Sequence, residues 1–445
     1  MLVAVLAAGN APANDLKELY ELALTRDASL QASGFARDAA IEARPQARAQ
    51  WLPQVAAVAS ATRERVGFEN GQSIGSQAAD CALGAAAGMQ HCYGTVRGLG
   101  INMSQTLWSF QAFSQLKEAN FQAAAAEAAF RSAQQNLLLR VAQTYFAILS
   151  AADQLATNRS ERDAFGTLLS QARTRQQTGV GPRSDVEQAQ AFYDATEQSV
   201  IDAQNALDDA NLALIEIVGP HGAAIAPLRQ DIPLTSPDPA SADEWVASAR
   251  QENFDVRTAQ LKMEAAEHDV SAQRGRGLPT FQLTGSSSKL TQDQVLGGNQ
   301  TLDMIGVSFS WPLFQGGAVA SAVRQSRALF RQAAATYDSA QRDAERQTRA
   351  AYRGIVTGIQ RIGAAHRAVD SGHGAVEASR RNVEFGTGTE FDLLNAQNNY
   401  YAAVRAYSQS RYDYLTSVLT LKQQAGRLME HDLAAIDDML VEKGS

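Results

Sequence analysis

The sequence predicts a mainly α-helical chain with a smaller β part, made of two copies of one helix–β-hairpin–long helix–turn–helix unit. Three observations lead there. The stretches TGVGPRSDVEQAQAFY (178–193) and FGTGTEFDLLNAQNNY (385–400) share a pattern: at an offset of 207, Gly179, Gly181, Asp185, Ala189, Gln190 and Tyr193 fall on Gly386, Gly388, Asp392, Ala396, Gln397 and Tyr400. Residues 112–177 contain no proline and one glycine, Gly166, among many good helix formers. Short segments elsewhere alternate apolar and polar residues with period 2, the mark of half-buried strands.

The repeat runs well beyond the glycine turns. Leu52-Pro53 matches Leu278-Pro279 at an offset of 226. Tyr145, Leu212 and Gly219 match Tyr352, Leu419 and Gly426 at 207. This divides the chain into an N-terminal segment 1–13, a first repeat 14–219, a linker 220–241, a second repeat 242–426 and a tail 427–445. The offset falls by about 20 between Pro53 and Leu107, so the first copy carries an insertion there, as exposed loops tolerate.

Each element follows from its residues. MLVAVLAAGNAPA is a short apolar run ending in Ala11-Pro12-Ala13, an A-x-A cleavage pattern without a basic n-region. It reads as a signal-peptide remnant; a plain apolar tail is the alternative. Residues 15–44 are expected to be helical. Strands are expected at about 51–66, 97–109, 278–290 and 302–314, clearest in IGVSFSW (305–311). Strands of about 10 residues fit a transmembrane barrel, and the aromatics Trp51, Trp108 and Trp311 at their ends suit an interfacial girdle. The core of a soluble sheet accounts for the strand pattern equally well. In the long helix, Leu138, Val141, Tyr145 and Ile148 step by 3 and 4 and form an apolar seam. Such a helix is roughly 100 Å long, and its shorter neighbours, roughly 45 and 50 Å, match it end to end. No single globule buries a helix of that length, so many such helices in a ring favour the barrel reading.

Composition excludes several classes. The chain has 445 residues, 45% hydrophobic and 19% charged, with a net charge of −8, which argues against a nucleic-acid partner. No apolar run after the N-terminus is long enough for a transmembrane helix, which leaves barrel strands open. The only cysteines, Cys81 and Cys92, lie in the insertion. After an export signal their spacing suggests a disulfide; two free thiols are the alternative. Six histidines lack carboxylates at metal-ligand spacing, so neither a metal site nor a cofactor is expected. No Walker-type phosphate loop and no Ser/His/Asp arrangement marks an enzyme. The FGTGTEFD glycines fit an interhelical turn: glycine accepts the positive φ that ends a helix, and Ser184, Asp185 or Asp392 can cap the helix that follows.

The doubled unit, its G-x-G-x-x-x-D turns, and the segments 185–219 and 391–426 resemble the TolC family of outer-membrane exit ducts. The resemblance covers about residues 15–426. It implies a homotrimer whose three sets of four strands close one 12-stranded barrel in outer-membrane lipid, on an α-helical tunnel through the periplasm. It implies a passive duct for efflux or type I secretion, served by a periplasmic adaptor and an inner-membrane ABC or RND-type pump. It implies that Asp185 and Asp392 line a narrow periplasmic mouth, and that the turns at Gly179, Gly181, Gly386 and Gly388 form the tip where the adaptor docks. The chain departs from the family pattern at Asn395, where a second aspartate is expected, and at Gly388, where an arginine is expected. Arg183 and Glu390 are therefore candidates for a substitute closing link, with Arg183→Ala expected to raise conductance. The competing class is a periplasmic coiled-coil adaptor or scaffold, which would leave the membrane without detergent.

Overall fold

The computed structural model describes residues 15–69, 72–73, 91–220, 225–292 and 299–441, which form two compact units. The segment 1–13, expected to be a signal-peptide remnant, and Cys81 lie outside the described residues. Cys92 is the second residue of a strand, but its side chain also lies outside them, and so does the expected disulfide.

One unit comprises residues 38–126 and 260–336. Its sheet has the order β2-β1-β3-β4-β5, with β1 Gln54–Glu69, β2 Gln72–Ser73, β3 His91–Ser109, β4 Thr280–Gln292 and β5 Gln300–Ser310. All neighbours are antiparallel, and β3 joins the two sequence repeats through its pairing with β4. Prolines set the limits. Pro53 and Pro279 stand just before β1 and β4, and Pro312, which has no N–H to donate, follows the end of β5. β3 begins six residues earlier than expected. Gly94, Gly98 and Gly100 blur its alternation, and its pairing with β1 extends the ladder.

The register sorts the side chains onto two faces. One carries Val55, Ala57, Ala59 and Ala61 of β1, Leu99, Ile101 and Met103 of β3, Phe281 and Leu283 of β4, and Ile305, Val307 and Phe309 of β5. The other is mostly polar or small, with Ser60 and Thr62, Gly98, Gly100, Asn102 and Ser104, Gln282, Thr284, Ser286 and Ser288, and Gly306, Ser308 and Ser310, and it also carries Val58, Leu302 and Met304. Among the described residues nothing covers the apolar face: Leu99, Val307 and Ile305 are 65%, 63% and 79% exposed. Trp108 packs edge-on to Phe281 at 6.3 Å, and Phe281 lies 5.1 Å from Phe309. Trp108 and Trp311 are exposed, whereas Trp51 is half-buried in the turn before β1, its carbonyl accepting from Gln105.

In the same unit Glu118 and Asp269 sit near each other on packed helices. Burial and the Asp269 charge push the Glu118 carboxyl up to about 7, against the opposing hydrogen bond from Gln122. The folded chain thus holds this proton more tightly than the unfolded chain between pH 4.5 and 7, and stability falls as pH rises through that window. Glu118→Gln is expected to raise thermal stability at pH 8 by about 1–2 kcal/mol, allowing for solvent screening, and to change little at pH 4.5. An equal gain at both pH values in a melting experiment would rule this out.

The second unit comprises residues 15–37, 127–259 and 337–441. Four helices supply most of it: the long helices Phe110–Gln177 and Ala318–Glu384, whose C-terminal parts lie here, and the return helices Arg183–Val218 and Glu390–Gln424. The expected seam is buried, with Val141 and Tyr145 at 0% exposure, and the Tyr145 hydroxyl donates to the Ala226 carbonyl at 2.8 Å.

The helix expected over 15–44 is divided into Leu16–Arg26, Ala28–Ile41 and Ala43–Ala49. Asp27 makes the first break: its carboxylate accepts from the Leu30 N–H at 2.6 Å and pairs with Arg140. Asn253 does the same 226 residues later. Its side chain accepts from the Asp255 and Val256 N–H groups at 2.9 and 3.1 Å, between helices Ala242–Glu252 and Phe254–Gly275. Each break lets a side chain satisfy N–H groups that a new helix leaves unpaired.

The acidic tail packs through helix Glu430–Asp437, burying Leu433 and Ile436. Asp437 accepts from the Leu16 and Lys17 N–H groups at 2.8 and 3.1 Å, so the tail caps helix Leu16–Arg26.

Candidate functional site: the helical tip

The two glycine turns share one backbone solution. Gly179 and Gly386 end their long helices at φ +77° and +71°, where a β-carbon is disfavoured. The Val180 and Gly181 N–H groups return to the Arg175 carbonyl, and those of Thr387 and Gly388 to the Asn382 carbonyl, the equivalent position at an offset of 207. A β-carbon on Gly388 would stand 2.8 Å from the Asn382 β-carbon. That close approach favours glycine at position 388.

The aspartates that follow differ. Asp392 completes a capping box: Thr389 Oγ1 accepts from the Asp392 N–H at 3.1 Å, and Asp392 accepts from the Thr389 N–H and hydroxyl at 3.2 and 2.6 Å. These bonds hold its carboxyl below the usual carboxylate range. Asp185 makes no cap; Pro182 occupies that place, and Asp185 lies half-buried in the first helical turn. Asn395 donates back to the Phe391 carbonyl at 2.9 Å.

The expected Arg183–Glu390 link is not formed within the chain. Arg183 pairs with Glu187 on its own helix at 2.8 Å, and both side chains are exposed. Glu390 points inward, its side chain 2% exposed, and Arg175 at the end of the first long helix reaches it at 2.5 Å. Equivalent places in two turns do not imply contact: Arg183 starts an exposed helix face, whereas Glu390 starts a helix that packs on the partner repeat.

Arg175–Glu390 ends a polar seam between the first long helix and the second return helix. Asp153 accepts from Ser408 at 2.5 Å and Tyr412 at 2.8 Å. Arg405 reaches Glu161 and the Asn158 amide oxygen, and Tyr401 donates to the Ser160 carbonyl at 3.1 Å. Burial outweighs Arg405 in raising the Glu161 carboxyl. Beside the seam, Phe165, Leu168, Leu169 and Ala172 meet Ala189, Val376, Leu393 and Leu394, so all four helices share one apolar cluster. A cavity of about 490 Å³ opens next to it, bordered by Leu168, Gln171, Arg175, Arg380, Val383 and Glu390. Arg175 was missed in the sequence because a basic residue in a last helical turn already suits the helix dipole.

A strand unit with one apolar and one polar face, on a chain with two 67- and 68-residue helices, defines a subunit of a membrane duct. The chain belongs to the outer membrane efflux protein family, which matches residues 19–220 and 245–427. It is 30% identical to the outer membrane protein TolC of Vibrio cholerae over 430 residues, 96% of this chain and 93% of that one. It is 29% identical over 340 residues to the alkaline protease secretion protein AprF of Pseudomonas aeruginosa, covering 76% of this chain and 71% of that one. The solved structure of the outer membrane protein VceC of Vibrio cholerae superposes with a TM-score of 0.78 at 19% identity, over 92% of this chain and 96% of that chain. The chain is therefore an outer-membrane transport protein with the fold of these channels.

Proposed function

We propose that this protein is the passive exit duct of a tripartite efflux or type I secretion system. It assembles as a homotrimer, docks a periplasmic adaptor at its glycine tip, draws energy from an inner-membrane ABC or RND-type pump, and catalyses no reaction itself. The observation that carries the reading is the sheet. Among the described residues its apolar face is uncovered, and its outer strands, β5 and most of β1, have one unpaired edge each. Open edges of this length invite pairing with another chain, and closing three sheets on one another removes them. The first test is the mass of the detergent-solubilised protein together with conductance in a planar bilayer. A channel-forming species of three chains supports the reading; a monomer that stays in solution without detergent overturns it.

Asp185 and Asp392 then surround the mouth, six carboxylates in a trimer. Crowded carboxylates attract cations. Asp185→Ala/Asp392→Ala is expected to reduce cation selectivity several-fold. Because Thr389 holds Asp392 below the usual carboxylate range, the wild-type selectivity should persist at pH 5. Unchanged ion selectivity in the double variant would demote Asp392 to a helix cap and Asp185 to a surface residue.

A further inference from the structure

The apolar face of the sheet ends in a row of cations. Arg63 of β1 stands opposite Thr95 of β3, Arg97 of β3 opposite Thr291 of β4, and Lys289 of β4 opposite Thr301 of β5. Each is therefore the same-face diagonal neighbour of the next, a step of about 7–8 Å between backbones. All three are exposed, and all lie on the face that carries Leu99, Ile101, Ile305 and Val307. Arg65 extends the row on β1, and Asp303 of β5 closes it as the one carboxylate on that face among the described side chains. The row occupies the hairpin end of the strands, away from the helices that follow Ser109 and precede Thr280.

Position and charge together select the ligand. The face below the row is apolar and suits hydrocarbon. The opposite face, dominated by glycines, serines and threonines with Val58, Leu302 and Met304 among them, suits water better. Cations at the edge of a lipid-facing band meet lipid headgroups, not cargo. Long Arg and Lys side chains at this spacing can converge on one phosphate, which Arg binds with paired donors. Among the described residues nothing in the strand architecture needs three cations here, and like charges at diagonal positions repel unless an anion lies between them.

We propose that Arg63, Arg97 and Lys289 form a binding site for the phosphate groups of the anionic glycolipid of the outer leaflet. The hairpin end faces the outside when the helices lie in the periplasm, so this site rests on the duct reading above. It anchors the duct at a set depth and ties each subunit to the leaflet around it.

The test uses the full-length protein in detergent and purified bisphosphorylated lipid A, with binding followed by fluorescence of a labelled lipid at 50 mM salt. Arg63→Gln/Arg97→Gln/Lys289→Gln is expected to weaken binding at least about tenfold, and 500 mM salt to weaken wild-type binding strongly. A second arm needs no variant: the wild type should bind dephosphorylated lipid A at least about tenfold more weakly. Equal affinity in either comparison overturns the proposal, as does equal displacement by phosphatidylglycerol at the same phosphate concentration. Conductance measured in parallel separates the two readings. A triple variant that conducts normally but has lost lipid binding supports the site, while wild-type protein that never conducts removes the duct reading itself.

Discussion

Glu390→Ala is expected to raise single-channel conductance several-fold, while Arg183→Ala leaves it unchanged. Glu390 is the more buried partner of the link to Arg175, and removing one member of a buried ion pair strands the other charge. Such losses run to about 3–5 kcal/mol, and the lower end applies here because Arg175 keeps contact with water. The cost falls where the first repeat meets the second at the tip, so helix Glu390–Gln424 is released from helix Phe110–Gln177. Arg175→Ala should act alike, and the double variant should cost less than the two single changes together, since they remove one interaction. Arg183 pairs only along its own exposed helix face, and such pairs contribute little. Conductance that responds to Arg183 and ignores Glu390 would show that the closing link forms between subunits.

Val307→Arg is expected to abolish assembly in the membrane, and Ser308→Arg to permit it. The two residues are neighbours on β5 but point to opposite faces. Arginine on the lipid face of a barrel costs about 2–4 kcal/mol near the bilayer midplane, and a homotrimer carries it three times. On the polar face the same side chain reaches water and should instead lower cation conductance. The yield of heat-resistant trimer from membranes reads the first effect and bilayer selectivity the second. Equal yields from both variants would contradict the assignment of the faces.

Much of this architecture was legible in the sequence because it rests on short-range rules. The 3-and-4 seam of Leu138, Val141, Tyr145 and Ile148 marks a buried helix stripe wherever it occurs. The two glycines at positive φ, Gly179 and Gly386, mark the ends of helices. Strand alternation in 305–311 survives because Ser308 and Ser310 interrupt a hydrophobic run. Where those rules lacked a signal, the reading stopped. Asp27 and Asn253 are ordinary polar residues inside helical stretches, and only folding turns each into the cap of a new helix.

The pairing of distant residues is another matter. By itself, the sequence determined that the chain is a tandem repeat of long helices and two-faced strands, because periodicity and turn chemistry act over a few residues. The tertiary structure decided which polar groups meet. Glu390 finds Arg175 and not Arg183 because the return helix packs against the first long helix and turns that side chain inward. Arg63, Arg97 and Lys289 are separated by up to 226 residues and form a row only through the register of three strands. Register and packing are sums over many weak contacts across the fold, and no local stretch of sequence carries them.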